Sequence, residues 1–180
     1  MNYHSTDYDT VDYSTDQVSL LISLLVRFPE IGTVHYDPLD QVLRLVFLLK
    51  GVRSDNLKTF GKWFESHLAA FHTLKQEPVS TATLQFVDNG ELDMLEIRRD
   101  LFSLSREEIS LIIQLVSDFF SESLVREGSD VSEEDKEDQD AVIESMLSSG
   151  PLTGNERLTG FRESGRVLVF SIPKAGVSKS

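Results

Sequence analysis

The sequence predicts an α+β fold, a two-layer sandwich in which amphipathic helices cover a mostly antiparallel sheet. Two strand-like pairs are each joined by a turn signal, and each pair is followed by a segment with apolar residues at helical spacing. A hairpin and an amphipathic helix each have one apolar side. Packing two hairpins edge to edge beneath their helices therefore buries the apolar sides of all four elements.

A first helix is predicted over residues 17–27, because apolar residues recur there at the spacing of one helical face. These residues are Val18, Leu21, Ile22 and Leu25. Leu20 and Leu24 are also apolar but lie off that stripe. A short helix that is apolar on more than one side is either well buried or half of a contact between two copies.

The first hairpin–helix unit covers residues 31–76. Two arms rich in strand formers, 31–36 and 42–49, are joined by Asp-Pro-Leu-Asp, which suits a type I turn. A long amphipathic helix is predicted over 55–76, and Pro78 ends it.

The second hairpin is predicted over 81–87 and 92–101, joined by a two-residue loop at Asn89-Gly90. This loop places Leu84 opposite Leu95 and Ala82 opposite Ile97 on the drier face of the hairpin.

A capping box, Ser105 to Glu108, opens the helix that follows the second hairpin. This helix is predicted to reach about Arg126, with Gly128 as its stop. The acidic pair Glu107 and Glu108 lies in the first turn, where the helix dipole explains it.

The composition divides the chain into a core and its flanks. The predicted parts are an acidic flexible N-terminus at 1–16, an α+β core at 17–126, an acidic linker at 127–140, a C-terminal helix and strand at 141–173, and a flexible tail at 174–180. The C-terminal part contains a short apolar stripe over 141–147 and a strong strand over 166–172. We expect it to dock on a sheet, either in its own chain or in a second copy.

The net charge of −13 is concentrated in two segments. Residues 1–16 contain four aspartates and no basic residue, and residues 127–144 contain nine acidic residues and one lysine. The rest of the chain is nearly neutral, which argues against a nucleic-acid partner.

The longest apolar stretches fall far short of the roughly 20 residues that span a membrane. The N-terminus has no features of a secretory signal, so we expect a cytoplasmic protein without membrane contact.

No catalytic or metal-binding constellation is evident, and we expect no cofactor. The chain has no cysteine and none of the common phosphate-binding, nucleophile or zinc motifs. His67 and His72 are five residues apart on a helix, which separates them by about 140° in projection. They therefore do not form a helical metal pair of the usual spacing.

Two functional hypotheses remain. The first is a non-catalytic protein-interaction or regulatory module that associates as a homodimer or with another protein. It has a reversibly docked C-terminal segment, because ordering the short helix costs about as much as its apolar burial contributes. Its expected interaction residues are Trp63, Val142, Ile143, Met146, Leu147, Val167 and Val169.

The alternative is a domain, or an enzyme of unfamiliar type, that binds a small anionic ligand near the start of the second helix. A helix N-terminus with cations around it can hold a phosphate or a carboxylate. The basic residues are Lys50, Arg53, Lys58 and Lys62. The polar face of an amphipathic helix accounts for the same residues.

Overall fold

The computed structural model describes residues 15–77, 82–127, 131–152 and 154–172. Its helices are α1 (Thr15–Arg27), α2 (Ser54–Lys75), α3 (Arg106–Phe120) and α4 (Glu133–Ser148). Its strands are β1 (Thr33–Asp37), β2 (Val42–Lys50), β3 (Ala82–Asn89), β4 (Leu92–Asp100), β5 (Arg157–Glu163) and β6 (Arg166–Ile172). The flexible tail predicted at 174–180 and most of the predicted N-terminal segment lie outside the described residues.

The six strands form one antiparallel sheet in the order β3-β4-β2-β1-β5-β6. The two predicted hairpins are β1–β2 and β3–β4, and they join along β2 and β4. This confirms the α+β sandwich and its two hairpin–helix units.

One face of the sheet supplies the main core. Leu43, Leu45, Phe47 and Leu49 alternate along β2 and belong to a single cluster with the apolar faces of the helices. Strands expose alternate residues on opposite faces, so this pattern places the helical layer on one side of the sheet.

The second hairpin has a different register from the one predicted. Leu84 pairs with Ile97 and Ala82 with Arg99, and the loop is Gly90-Glu91 instead of Asn89-Gly90. Gly90 has a φ of +80°, whereas Asn89 and Glu91 are not in the positive-φ region. A glycine at the first loop position suits a type II′ turn, which closes the hairpin one residue later.

Helix α3 ends earlier than predicted, at Phe120 instead of about Arg126. Ser121 takes a positive φ of 44°, which breaks the helix. The chain then returns to the sheet, where Leu124 forms a bridge with Leu49 and Val125 N donates to Leu48 O over 2.9 Å. The predicted stop, Gly128, lies outside the described residues.

Helix α4 starts at Glu133, inside the segment predicted as an acidic linker. Ser132 caps it by accepting a hydrogen bond from Asp135 N over 3.1 Å. Glu133, Glu134 and Asp135 lie in its first turn, where the helix dipole favours negative charge. The same acidic residues that suggested a linker therefore stabilise a helix start.

The C-terminal segment contributes a hairpin, not a single strand. β5 pairs with β1 on one side and with β6 on the other, all within the same chain. Gly160 of β5 lies under α1, where a Cβ atom would come within 3.0 Å of Leu25 Cδ1. The absence of a side chain at Gly160 thus allows the helix to approach the strand.

Candidate functional site

An apolar groove lies between helix α2 and strand β3, at one edge of the sheet. It has a volume of about 200 Å³. Its lining residues are Phe64, Glu65, Leu68, Ala69 and His72 from α2, and Ala82, Thr83, Leu84 and Ile97 from the sheet. Phe64, Leu68 and Ile97 are buried and form the apolar floor, whereas Ala69 and Ala82 are exposed at its rim.

The sequence positions these side chains by two simple periodicities. Leu68 lies about one helical turn after Phe64 and Glu65, and His72 lies about two turns after them. All four side chains therefore share the side of α2 that faces the sheet. Ala82 and Leu84 alternate along β3 and lie on the face that carries the helices.

Within the part of the chain that the structure describes, strand β3 is an edge strand without the usual protection against pairing. It stands at the end of the strand order and pairs with β4 through eight consecutive residue pairs, without a bulge. Its sequence, ATLQFVDN, contains no lysine, arginine or proline. Edge strands usually carry such residues or a bulge, because alternate N–H and C=O groups of an unprotected edge are available to another strand.

A buried ionic network fixes the α2 end of the groove. Arg99 and Glu108 are fully buried, and two guanidinium nitrogens of Arg99 donate to the two carboxylate oxygens of Glu108. His72 Nε2 lies 2.7 Å from Glu108 Oε1. Arg99 also donates to Asp100 Oδ1 over 2.7 Å, and Asp100 accepts from Ser103 N over 2.9 Å. These contacts join the end of α2 to β4 and to the start of α3.

Sequence reasoning did not identify this network. The capping-box hydrogen bond from Glu108 N to Ser105 Oγ is present at 3.1 Å, but the Glu108 side chain binds Arg99. The helix dipole therefore does not account for Glu108. Arg99 follows Leu95 and Ile97 on the dry face of β4, and a charge at such a position signals a buried partner.

The four predicted ligand-binding residues do not converge on a cavity. Lys50, Arg53, Lys58 and Lys62 are all exposed, and none lines a cavity described here. Arg53 occupies the N-cap position of α2, but its side chain makes no capping hydrogen bond. Anion binding by these residues stays a prediction.

The predicted interaction residues pack within the chain. Trp63 is half-buried, and its ring lies 5.4 Å from that of Phe119 and 4.5 Å from that of His67. Val142, Ile143, Met146 and Leu147 lie on α4, where Ile143 is fully buried; Val167 and Val169 lie on the core side of β6. A partner would reach most of these side chains only if α4 or β6 left its place.

The surplus apolar surface of α1 is also covered within the chain. Leu20, Leu21, Leu24 and Leu25 are all buried, and α1 packs against α4, β1, β5 and β6. The apolar surplus therefore gives no separate reason for self-association, which stays a prediction.

Two other cavities give a less consistent chemistry. One of about 400 Å³ lies beside the end of α1, and Arg27, Glu30 and Lys136 in its lining carry charges of both signs. The other, about 190 Å³, includes Glu127 and Arg162. Within the described residues, no group of three or more potential ligands is placed to hold a metal ion.

Among the residues that the structure describes, every helix is too short or too polar to cross a bilayer. No family model matches the chain, and no curated protein or solved structure matches it.

Proposed function

We propose that this chain is a non-catalytic protein-interaction module that binds an extended segment of a partner along the edge of β3. The observation that carries the proposal is the combination of an unprotected edge strand with an apolar groove on its core side. In strand addition, the main chain of the partner supplies hydrogen bonds and its alternate side chains enter a pocket. The β3 edge offers both.

The groove contributes the apolar part of the binding free energy. Its floor is formed by Phe64, Leu68 and Ile97, and its two exposed alanines leave its mouth open. A buried Val, Leu or Ile side chain contributes about 1.5–3 kcal/mol. One or two such side chains would favour binding of a partner strand, in addition to its hydrogen bonds with β3.

The charged groups beside the groove support a binding role more than a catalytic one. His72 contacts Glu108, and Glu108 is held by two hydrogen bonds from Arg99. Each group is already engaged in joining α2 to α3 and β4. This network stabilises the wall of the groove against movement when a partner binds.

Adjacent alanines of α2 provide a matched test. Ala69 and Ala70 are both exposed, but only Ala69 lines the groove. The probe is a set of peptides selected on the wild-type protein from a random phage-displayed library. We expect the Ala69→Lys variant to bind these peptides at least about tenfold more weakly, because the lysine would occupy the groove. The Ala70→Lys variant should bind them as the wild type does.

Both substitutions place a good helix former on an exposed helical surface, so the thermal unfolding of the two variants should match that of the wild type. Equal binding by the two variants would contradict the proposal, whether both retain affinity or both lose it.

A second copy of the chain is the competing occupant of the β3 edge. The net charge of −13 opposes close approach of two copies, whereas it does not oppose a neutral or basic partner. Sedimentation equilibrium distinguishes the two cases. A concentration-dependent dimer that is abolished in Ala69→Lys and retained in Ala70→Lys would show that the β3 edge binds a second copy of the chain and not a partner segment.

A further inference from the structure

Three acidic side chains accompany the open edge of the sheet. Glu65 lies in the wall of the groove, and Asp88 of β3 pairs in register with Asp93 of β4. Both aspartates fall on the strand face that carries Leu84 and Ile97, further toward the hairpin loop. A strand added to β3 would therefore contact both the groove and the aspartate pair, in an order that depends on the direction of the strand.

These carboxylates lack cationic partners in the described part of the chain. Neither Glu65 nor either aspartate forms an ion pair there. Burial and the neighbouring Asp88 raise the pKa of Asp93. The aspartate pair is thus a place where a cation would be favourable.

We infer that the partner segment is basic and carries apolar residues at alternate positions, followed or preceded on the same face by a lysine or arginine. This inference rests on the proposed function. In a strand paired with β3, the residues opposite Leu84, Phe86 and Asp88 are two positions apart and share one face. The expected motif has two apolar residues and one basic residue at every second position.

The charge of the whole molecule favours the same partner. Most of the charge of −13 lies in residues 1–16 and 127–144, so it attracts basic segments to the molecule as a whole and raises their association rate, particularly at low ionic strength. The charge at the edge then determines which part of a basic segment pairs with β3.

The test uses the full chain as bait for a random phage-displayed peptide library. We expect selected peptides to carry lysine or arginine four positions from an apolar residue, and the Asp88→Asn/Asp93→Asn double variant to lose this enrichment while keeping the apolar positions. Peptides selected on the wild type should bind the double variant about two- to fivefold more weakly for each ion pair that the substitutions remove. Glu91→Gln, which neutralises an exposed acid in the hairpin loop, is the control and should keep the enrichment.

The two proposals fail in different ways. If peptides bind, lose affinity to Ala69→Lys and show no preferred basic position, the basic partner is wrong and strand addition at the groove stands. If the basic enrichment survives in the double variant, the aspartate pair does not recognise the partner. If selected peptides bind Ala69→Lys and the wild type equally, the groove itself is not the site.

Discussion

At the scale of single residues, Arg99 shows how one buried charge organises this end of the molecule. It is fully buried on the dry face of β4, and its guanidinium contacts Glu108, Asp100 and Ser103. A buried charge is tolerated only when it is paired and hydrogen-bonded. The alternation of β4 places Arg99 on the buried face, but sequence alone does not reveal that Glu108 binds Arg99 and also contacts His72.

His35 is a second residue whose environment has a measurable consequence. Its Nδ1 lies 2.9 Å from Thr159 Oγ1, between β1 and β5. Burial, with help from Arg44, lowers the pKa of His35 below 6.5, and Glu96 acts in the opposite direction. The unfolded chain therefore takes up this proton first as the pH falls.

The free energy of unfolding should consequently decrease as the pH drops through 6.5 toward the lower pKa of His35 in the folded protein. We expect the His35→Gln variant to lose this part of the pH dependence, as measured by urea denaturation at about pH 7.5 and about pH 5.5. His67→Gln, at an exposed position, should retain it. If the free energy of unfolding of His35→Gln depends on pH as that of the wild type does, another group is responsible for the dependence.

At the scale of elements, Arg162 joins the C-terminal hairpin to the N-terminal helix. Its guanidinium donates to the carbonyl oxygens of Leu25, Phe28 and Ile31 over 2.6, 2.7 and 2.6 Å. The last carbonyls of a helix lack partners within it, so this side chain from β5 satisfies the end of α1 and the turn that follows.

Replacing Arg162 by glutamine should lower the free energy of unfolding by about 1–3 kcal/mol, because three half-buried carbonyls each lose one donor and, among the described residues, only Phe28 O keeps another, from Ile31 N. The exposed Arg166 on the adjacent strand is the matched control, and Arg166→Gln should change the free energy by no more than about 0.5 kcal/mol. Urea denaturation measures both. Equal, small effects would indicate that the hairpin leaves α1 readily, as the reversible docking hypothesis requires.

Elements differ in how far the sequence predicted them. α2 and the two central hairpins have strong periodicity and are confirmed as elements, but the turn of the second hairpin lies one residue later than the Asn-Gly signal predicted. Strand β5, RLTGFRE, has few apolar residues, and its pattern becomes intelligible only once Gly160 is seen beneath α1. The first turns of α4 are acidic and carry no apolar stripe, so only the segment over 141–147 was visible as a helix.

At the scale of the whole molecule, the sheet has two ends with different surroundings. β6 at one end packs against α1, and β3 at the other end borders the groove below α2. The sequence predicted the layers but not this difference. The groove depends on how α2 and β3 are placed relative to each other, and the periodicity of each segment does not predict that placement. The register of β3 also had to be known before Ala82, Leu84 and Asp88 could be placed along one edge.

Hydrogen–deuterium exchange of the β3 amides, with and without a peptide selected on the wild-type chain, tests strand addition most directly. Alternate amides of an edge strand point away from its neighbour and exchange readily until another strand pairs with them. We predict that the peptide protects amides within residues 82–88 and leaves those of β6 unchanged. Protection confined to β6, or to the start of α2 around Arg53, with β3 unaffected, would contradict the account.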